Sequence, residues 1–207
     1  MAQRMHPGLK LHLGVFFDFL YVPVLVLMGL SFNRAGLPTV WTGFSLEWYG
    51  KLFSSDPIIN AARNTLIVAV ISTVLATVIG TLLAVGVETR RSSPFLDAIL
   101  FAPMIIPDIV LAIALLSFYT AISLTLGLHS IILSHVVFNI AFVVAVVRTR
   151  MRHFDQSVLE ASADLGASEF TTFRRVLLPA ILPGVIAGAL LSFTLSVDEF
   201  IIAFFTA

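Results

Sequence analysis

Long apolar stretches, separated by short polar segments, dominate this chain of 207 residues. A helix needs roughly 20 apolar residues to cross a bilayer core of about 30 Å. Five stretches meet that length, and they cover about 12–32, 64–87, 95–120, 129–147 and 181–205. The pattern predicts an all-α, polytopic transmembrane helical bundle that forms a single domain over 1–207.

Residues typical of helix starts and of close helix contacts support these boundaries. Ser93 precedes a proline, the usual form of an N-cap followed by the first helical position, and Asp97 would lie in the positive first turn. Asn64 is predicted to cap the second span. Within that span, Gly80 and Gly86 would permit the close approach of another helix.

The third span is interrupted by prolines. Pro103 and Pro107 lie within the segment APMIIPD, and each removes a backbone hydrogen bond from the helix. Because lipid offers no replacement partner, the freed carbonyl groups must be satisfied by neighbouring helices or by a cavity. The sequence therefore predicts that the third helix is broken.

Composition places the chain in the membrane class. It is 58% hydrophobic and 12% charged, with a mean hydropathy of +1.02. The absence of cysteine excludes disulfides and cysteine-ligated metal sites. His129 and His135 do not share a helical face, so no metal site is expected, and no basic face indicates nucleic-acid binding. The N-terminal run is longer than a signal core and lacks a small-residue cleavage site, which favours an uncleaved first helix.

The distribution of Lys and Arg predicts the orientation. With a cytoplasmic N-terminus, nine of these residues lie in inner segments and three in outer loops. The inner set is Arg4, Lys10, Arg90, Arg91, Arg148, Arg150, Arg152, Arg174 and Arg175, and the outer set is Arg34, Lys51 and Arg63. This positive-inside bias places 148–180 in the cytoplasm. The outer loop 33–63 carries aromatic residues predicted to anchor at the membrane interface: Trp41, Phe44, Trp48 and Tyr49.

A polar insert at 160–179 separates the last two apolar spans and predicts a helical elbow. Ser157 and Glu160 have the spacing of a capping box, and Gly166 is placed to end the first helix in the left-handed conformation. Ser168 would cap a second helix, and Pro179 marks the return to the membrane. Apolar stripes at helical spacing are Val158, Ala161 and Leu165 on the first helix and Phe170, Phe173 and Leu177 on the second.

The spacing of this insert resembles the EAA loop of the membrane subunits of bacterial ABC importers. That pattern runs Glu-Ala-Ala, three residues, Gly, nine residues, a branched aliphatic, one residue and Leu-Pro. The matching positions here are Glu160, Ala161, Gly166, Val176, Leu178 and Pro179, and Ser162 replaces the second alanine. Several fixed spacings over about twenty residues make the resemblance specific.

Four further segments are similar to polyamine-type permeases, most of all to the second of the two permeases in spermidine/putrescine importers. They are GFSLEWYGKLF, APMIIPDIVLAIALL, SHVVFNIAFVVAVVRTRM and SFTLSVDEFIIAFFTA. The resemblance implies a type I ABC importer permease fold in the bacterial inner membrane. Such permeases usually have six spans, so a sixth is expected after Ala207, and the chain is expected to lack the last helix.

The resemblance also implies a division of labour. A binding protein outside the membrane would capture a polyamine or similar small cation, and this chain would form the path with a second permease as a heterodimer. ATPase subunits in the cytoplasm would supply the driving force. The chain has no Gly-x-x-x-x-Gly-Lys-Ser/Thr loop, so we expect neither an enzyme nor a cofactor. The residues expected to couple to the ATPase are Glu160, Ala161, Ser162, Asp164, Gly166, Val176, Leu178 and Pro179.

Acidic residues within predicted spans are candidates for the translocation path. Asp198 shares a helical face with Thr194, and a carboxylate beside a hydroxyl would suit a cationic solute. Glu199 points about 100° away, so the two acids cannot both face one lumen squarely. Asp108 would line the path or a gate. Alternatively, Asp198 pairs with a group in a neighbouring subunit, and Asp108 only caps the half-helix after the prolines.

Other interpretations stay open at this stage. Glu160 and Gly166 also fit purely local roles, as a capping partner and a helix terminator. Within the importer class, the alternative cargos are ferric ion, thiamine-like compounds and aminophosphonates. A proton-coupled secondary transporter would use the intramembrane acids as relays but gives the elbow no role. A nonconducting membrane anchor is the third class.

Overall fold

The computed structural model describes residues 6–36, 40–89, 93–155 and 157–207. Three of the predicted inner charges, Arg4, Arg90 and Arg91, lie outside these ranges. The chain divides into two compact units, Met1–Ala61 and Ala62–Ala207. The prediction of one domain over 1–207 stays a prediction.

Helices make up nearly all of the described chain. They are α1 (Pro7–Leu30), α2 (Glu47–Phe53), α3 (Asp56–Thr89), α4 (Pro94–Ile105), α5 (Asp108–Ala121), α6 (Leu128–Arg152), α7 (Ser157–Asp164), α8 (Glu169–Thr172), α9 (Leu178–Asp198) and α10 (Ile201–Thr206). A π-helical turn, Phe173–Leu177, joins α8 to α9. Within the described ranges the only extended pairing is a single bridge between Asn33 and Phe44.

Most of the predicted spans correspond to long apolar helices. Four helical segments of the described chain are long and apolar enough to cross a membrane: Pro7–Leu30, Asp56–Thr89, Leu128–Arg152 and Glu169–Asp198. A fifth crossing results if α4 and α5, which are bent by 109° relative to each other, count as one. The predicted third span is therefore a broken span or a re-entrant loop.

One proline accounts for the break between α4 and α5. Ile106 is extended, with φ −71° and ψ 131°, because the ring of the following proline excludes the helical conformation. Pro107 then precedes α5, whose first residue is Asp108. Pro103 lies inside α4 without ending it. The predicted interruption is confirmed, but only the second proline breaks the helix.

The predicted fifth span, 181–205, is interrupted as well. Helix α9 ends at Asp198, and a new helix starts at Ile201. Glu199 is extended between them, with φ −75° and ψ 100°. Asp198 and Glu199 therefore lie at a helix break, whereas the sequence placed them deep inside a continuous helix.

The predicted helix starts had mixed outcomes. The Ser93 side chain accepts a hydrogen bond from the Leu96 N–H at 3.2 Å, and Asp97 lies in the first turn of α4, as predicted. The prediction for Asn64 is wrong. Helix α3 begins at Asp56, so Asn64 lies within it and caps nothing.

Helix α6 packs closely against α3 and α9 at positions where these two helices carry glycine. A Cβ at Gly80 of α3 would lie 2.8 Å from Val143 Cγ1, and a Cβ at Gly184 of α9 would lie 2.7 Å from Arg150 Cβ. Both distances are shorter than side chains tolerate, so the close approach requires glycine. A Cβ at Gly86 would meet nothing within 4 Å, and the predicted contact there is wrong.

The main core of the second unit surrounds α6 and reaches the base of the elbow. Its buried members are Ala76, Ala84, Val143, Val144, Val147, Met151, Leu177 and Ile181. They come from α3, α6, the π-helical turn and α9. The elbow is therefore anchored in the same apolar cluster that joins the long helices.

The first unit is organised around Asn33, at the end of α1. Its Nδ2 donates to the Val40 carbonyl at 2.7 Å, and its Oδ1 accepts from the Thr42 N–H at 2.9 Å. The Trp48 indole donates to the Asn33 carbonyl at 3.1 Å. Trp48 was predicted only as an interfacial anchor, and it also fixes α2 against the loop.

Candidate functional site

The elbow starts with a capped helix, although its cap differs from the predicted one. Helix α7 begins at Ser157, so this residue is its first member and not its N-cap. The backbone N–H of Ser157 donates to Asp155 Oδ1 at 3.0 Å. Hydrogen bonds from the side chain and backbone of Ser157 hold the pKa of Asp155 below its usual range. Glu160 lies exposed in the positive first turn of α7.

Gly166 ends α7 in the left-handed conformation, as predicted. Its φ is +79°, a value that side-chain-bearing residues adopt only with strain. The Gly166 N–H donates to the Ala163 carbonyl at 2.8 Å, and the Ala167 N–H donates to the Ser162 carbonyl at 3.1 Å. These bonds close the end of α7 and set the angle at which α8 leaves it.

The second arm of the elbow is capped and tied to the first. Ser168 Oγ accepts a hydrogen bond from the Thr171 N–H at 3.3 Å, which confirms the predicted cap of α8. The hydroxyl groups of Ser162 and Thr172 lie 2.8 Å apart and join α7 to α8. Ser162, the departure from the family pattern, thus has a structural partner that alanine would lack.

The elbow exposes large apolar side chains outside the predicted spans. Leu165 is 88% exposed and Phe170 is 69% exposed, and Val158 is exposed as well. Phe173 and Leu177 turn inward and pack in the core. The predicted stripe of the second helix is therefore divided between a surface and the core. Exposed apolar surfaces of this kind mark contact sites for another protein or for the membrane.

The eight predicted coupling residues all lie on this elbow or at its return to the membrane. Glu160, Ala161, Asp164 and Gly166 are exposed, Ser162, Val176 and Leu178 are half-buried, and Pro179 is exposed in the first turn of α9. The fully buried residue of the final segment is Leu177, which the family pattern leaves unspecified.

The helix break after α9 forms a second candidate site. Asp198 and Glu199 line a cavity of about 220 Å³. Glu199 Oε1 also accepts a hydrogen bond from the Ile202 N–H at 3.0 Å, so this carboxylate caps α10. The lining of this cavity includes neither Thr194 nor Asp108 among the described residues. Thr194 is exposed and donates to the Leu190 carbonyl at 2.9 Å, and Asp108 is half-buried at the start of α5.

Comparison with known proteins identifies the class. The family of binding-protein-dependent transport system inner membrane components matches residues 76–207. This chain belongs to that family. The chain is therefore a multi-pass component of the inner membrane. Its relatives are transport permeases and not enzymes.

Two individual relatives are similar in sequence over nearly the whole of this chain. It is 42% identical to the spermidine/putrescine transport system permease protein PotC of Escherichia coli over 191 residues, which are 91% of this chain and 72% of PotC. It is 38% identical to the putrescine transport system permease protein PotI of Escherichia coli over 201 residues, 92% of this chain and 71% of PotI.

A solved structure supports the fold. The permease is similar to a chain of the MetNI methionine ABC transporter in an inward-facing conformation, with a TM-score of 0.59 and 25% identity. The similarity covers 70% of this chain and 73% of that chain. The predicted all-α, type I ABC importer permease fold is confirmed.

A buried ion-pair cluster was missed by the sequence analysis. Arg148 Nε lies 2.9 Å from Glu88 Oε2, and Arg148 Nη1 lies 2.7 Å from Asp97 Oδ1. The Arg148 side chain is only 8% exposed. The analysis treated this arginine as an orientation charge only. The cluster joins the ends of α3, α4 and α6 in the permease.

A buried polar network between three helices was also missed. His135 Nδ1 lies 2.7 Å from Ser196 Oγ, which lies 3.0 Å from Ser72 Oγ. Asn139 lies one turn further along α6, and neither atom of its buried side-chain amide has a partner among the described residues. His135 and Asn139 lie four residues apart in an apolar stretch, and this spacing was the sequence signal for a polar stripe on one face of the helix.

Proposed function

We propose that this permease imports a small organic cation of the polyamine class, driven by ATP hydrolysis on partner subunits. The observation that carries the proposal is the 42% identity to PotC over 91% of this chain. PotI, also similar over most of the chain, is named for putrescine. These two relatives favour a polyamine over ferric ion, a thiamine-like compound or an aminophosphonate.

The elbow is proposed to dock on a cytoplasmic ATPase subunit. Leu165 and Phe170 would enter a groove of that subunit, because their exposure to water is otherwise unfavourable. Gly166 sets the angle between the two arms. Val176 and Leu178 are half-buried next to the core residue Leu177, so they would transmit movement of the elbow to α9. Glu160, Ala161, Ser162, Asp164 and Pro179 complete the proposed coupling surface.

The proposed translocation path uses the acids near the helix breaks. Asp198 and Glu199 lie in the break after α9, and Asp108 lies directly after the break between α4 and α5. Carboxylates at interrupted helices favour the passage of a cation. Thr194, one turn before Asp198, would extend this polar surface along α9.

The proposed assembly is a heterodimer of two permeases with ATPase subunits and an external substrate-binding protein. The N-terminus and the elbow would face the cytoplasm. The supporting observation is the excess of Lys and Arg in the inner segments, nine against three. In such an assembly, ATP binding shifts the permeases between two conformations through its different contacts with each.

A pull-down with functional reconstitution tests the proposal. The tagged chain would be purified in mild detergent from its native membrane, and co-purifying proteins would be identified by mass spectrometry. We expect an ATPase subunit, a second permease and a binding protein. Proteoliposomes of that complex should take up labelled spermidine or putrescine only when ATP is supplied.

Two outcomes would contradict this function. Recovery of the chain without any ATPase subunit would contradict the proposed coupling role of the elbow. Uptake that collapses with a protonophore at constant ATP would identify a proton-coupled secondary transporter instead.

A further inference from the structure

The wall of the cavity at the break after α9 includes a histidine with an unpartnered ring nitrogen. Its lining includes His135, Ser196, Asp198 and Glu199. His135 is 2% exposed, and its Nε2 has no hydrogen-bond partner within the described part of the chain. A buried polar atom without a partner is unfavourable, so its retention beside a cavity indicates a ligand.

A chain of hydrogen bonds links the His135 ring to the Ala69 carbonyl through Ser196 and Ser72. Ser72 Oγ donates to the Ala69 carbonyl at 3.3 Å. When the single Ser72 proton goes to that carbonyl, which can only accept, the Ser72 oxygen accepts from Ser196 at 3.0 Å. In the same arrangement the Ser196 oxygen accepts from His135 Nδ1–H at 2.7 Å. In this arrangement His135 Nε2 keeps its lone pair and is an acceptor.

The cavity thus presents acceptors and negative charge together. The acidic residues Asp198 and Glu199 line it together with His135. A protonated amine carries N–H donors and no acceptor, which complements this set. Apolar residues on the remaining wall, such as Val68 and Ile131, suit the methylene groups of an alkylamine. Pairing with the carboxylates would offset the cost of taking the ammonium out of water.

We propose that this cavity is an alkylammonium subsite in which His135 Nε2 accepts a hydrogen bond from the cargo amine. Asp198 and Glu199 supply the compensating negative charge. Ser196 and Ser72 are positioning residues that hold the imidazole in the accepting tautomer. The inference rests on the proposed function, because it assumes that the cargo is an amine.

Two substitutions of His135 separate cargo binding from structural support. Asparagine places its amide near the position of Nδ1, so His135→Asn keeps a donor to Ser196 and loses the acceptor in the cavity. Glutamine reaches the position of Nε2, so His135→Gln keeps an acceptor in the cavity and loses the bond to Ser196. The exposed His129 at the start of the same helix supplies the control, His129→Asn.

The variants would be compared in proteoliposomes that contain the complete importer. We expect His135→Asn to raise the half-saturating spermidine concentration about tenfold, as for a lost hydrogen bond to a charged group. His135→Gln should remain within about threefold of the wild type, and His129→Asn should be unchanged. A merely structural His135 would give the reverse order, with His135→Gln the more damaging.

A second measurement leaves His135 in place. The chain has no cysteine, so Ala203→Cys introduces a single thiol into the cavity wall. Spermidine should slow its labelling by a thiol reagent in the complete importer. It should not slow labelling of Ser117→Cys, which lies exposed on α5.

The outcomes distinguish this subsite from the proposed function. Wild-type complex that transports neither spermidine nor putrescine would refute the cargo and the subsite together. Normal wild-type transport with unchanged affinity in His135→Asn, or without protection of Ala203→Cys, would refute the subsite alone.

Discussion

At the scale of single residues, Arg148 is the charge with the most demanding environment. A guanidinium that is 8% exposed is tolerated only if its hydrogen bonds and charge are matched. Glu88 and Asp97 provide that match from two other helices. Removal of the arginine would break both of these ion pairs beside an apolar core.

We therefore expect Arg148→Ala to destabilise the permease strongly. The loss should be about 3 kcal/mol, near the low end for a broken buried pair, because Asp97 is 37% exposed. Thermal unfolding of the purified complex in detergent measures the change. Arg152→Ala is the matched control, since that side chain is exposed and 3.6 Å from Glu88, and it should cost less than about 1 kcal/mol. Equal effects of the two substitutions would contradict this role for Arg148.

At the scale of helices, small residues decide how closely α3, α6 and α9 approach. Gly80 and Gly86 occupy the same helix and look equivalent in the sequence. Gly80 faces Val143 of α6, whereas Gly86 faces a cleft of about 670 Å³ beside the elbow. The two positions therefore offer a matched pair of substitutions.

We expect Gly80→Ala to lower stability and Gly86→Ala to preserve or raise it. The new methyl group at position 80 would force Val143 and α6 to move, at a cost of about 1–3 kcal/mol. Alanine at position 86 meets open space and gains up to about 1 kcal/mol of helix propensity. The midpoint of thermal unfolding in detergent measures both. Similar losses at the two positions would show that packing against α6 is not the cause.

The elbow is the other element whose geometry depends on one residue. Gly166 has open space around it, so a side chain there would cause no clash, and only its backbone conformation is restrictive. Asparagine tolerates the left-handed region much better than a β-branched residue does. Substitutions at this position can therefore test the angle of the elbow separately from its contacts.

We expect Gly166→Val to reduce the recovery of the ATPase subunit in a pull-down and to reduce ATP-driven uptake. Valine would add roughly 1–2 kcal/mol of backbone strain and shift the second arm. Gly166→Asn should retain most of both activities. Membrane insertion of the two variants should be normal. Unimpaired docking and uptake in Gly166→Val would exclude a coupling role for the elbow angle.

At the scale of the whole molecule, the second unit contains an exposed apolar surface on the elbow and an acidic cavity at the break after α9. The two are connected through α9, which begins beside the elbow and ends at Asp198. A movement of the elbow would therefore be transmitted along α9 to the helix break. This arrangement suits a permease that alternates its access under the control of a partner subunit.

We expect Asp198→Asn to lower spermidine uptake about tenfold while the complex still assembles. The amide keeps the size of the side chain but removes the charge that favours a cation, and charge-assisted hydrogen bonds are about twice as strong as neutral ones. Transport assays and pull-downs on the same preparation separate the two effects. Asp56→Asn, at the exposed start of α3, should behave as the wild type. Unchanged uptake in Asp198→Asn would show that this residue is not part of the translocation path.

Much of the fold was predictable because its signals are local. The serine before Pro94, the proline at 107 and the glycine at 166 each act on backbone within a few residues, and all three act as the sequence predicts. Asn64 failed as a cap because the apolar pattern did not reveal the polar first turns of α3, which begins at Asp56. The break at Glu199 was missed because no proline or glycine marks it.

The sequence by itself determined the class of the protein, the long apolar helices, the interruption at Pro107 and the left-handed turn of the elbow. Each of these depends on residues close together in the chain. Only the tertiary structure decided that Arg148 pairs with Glu88 and Asp97, which are 60 and 51 positions away. It likewise decided that Ser196 and Ser72 join His135 in one buried hydrogen-bond chain. Helical periodicity shows which residues share a face, but the neighbour of that face depends on how all the helices pack.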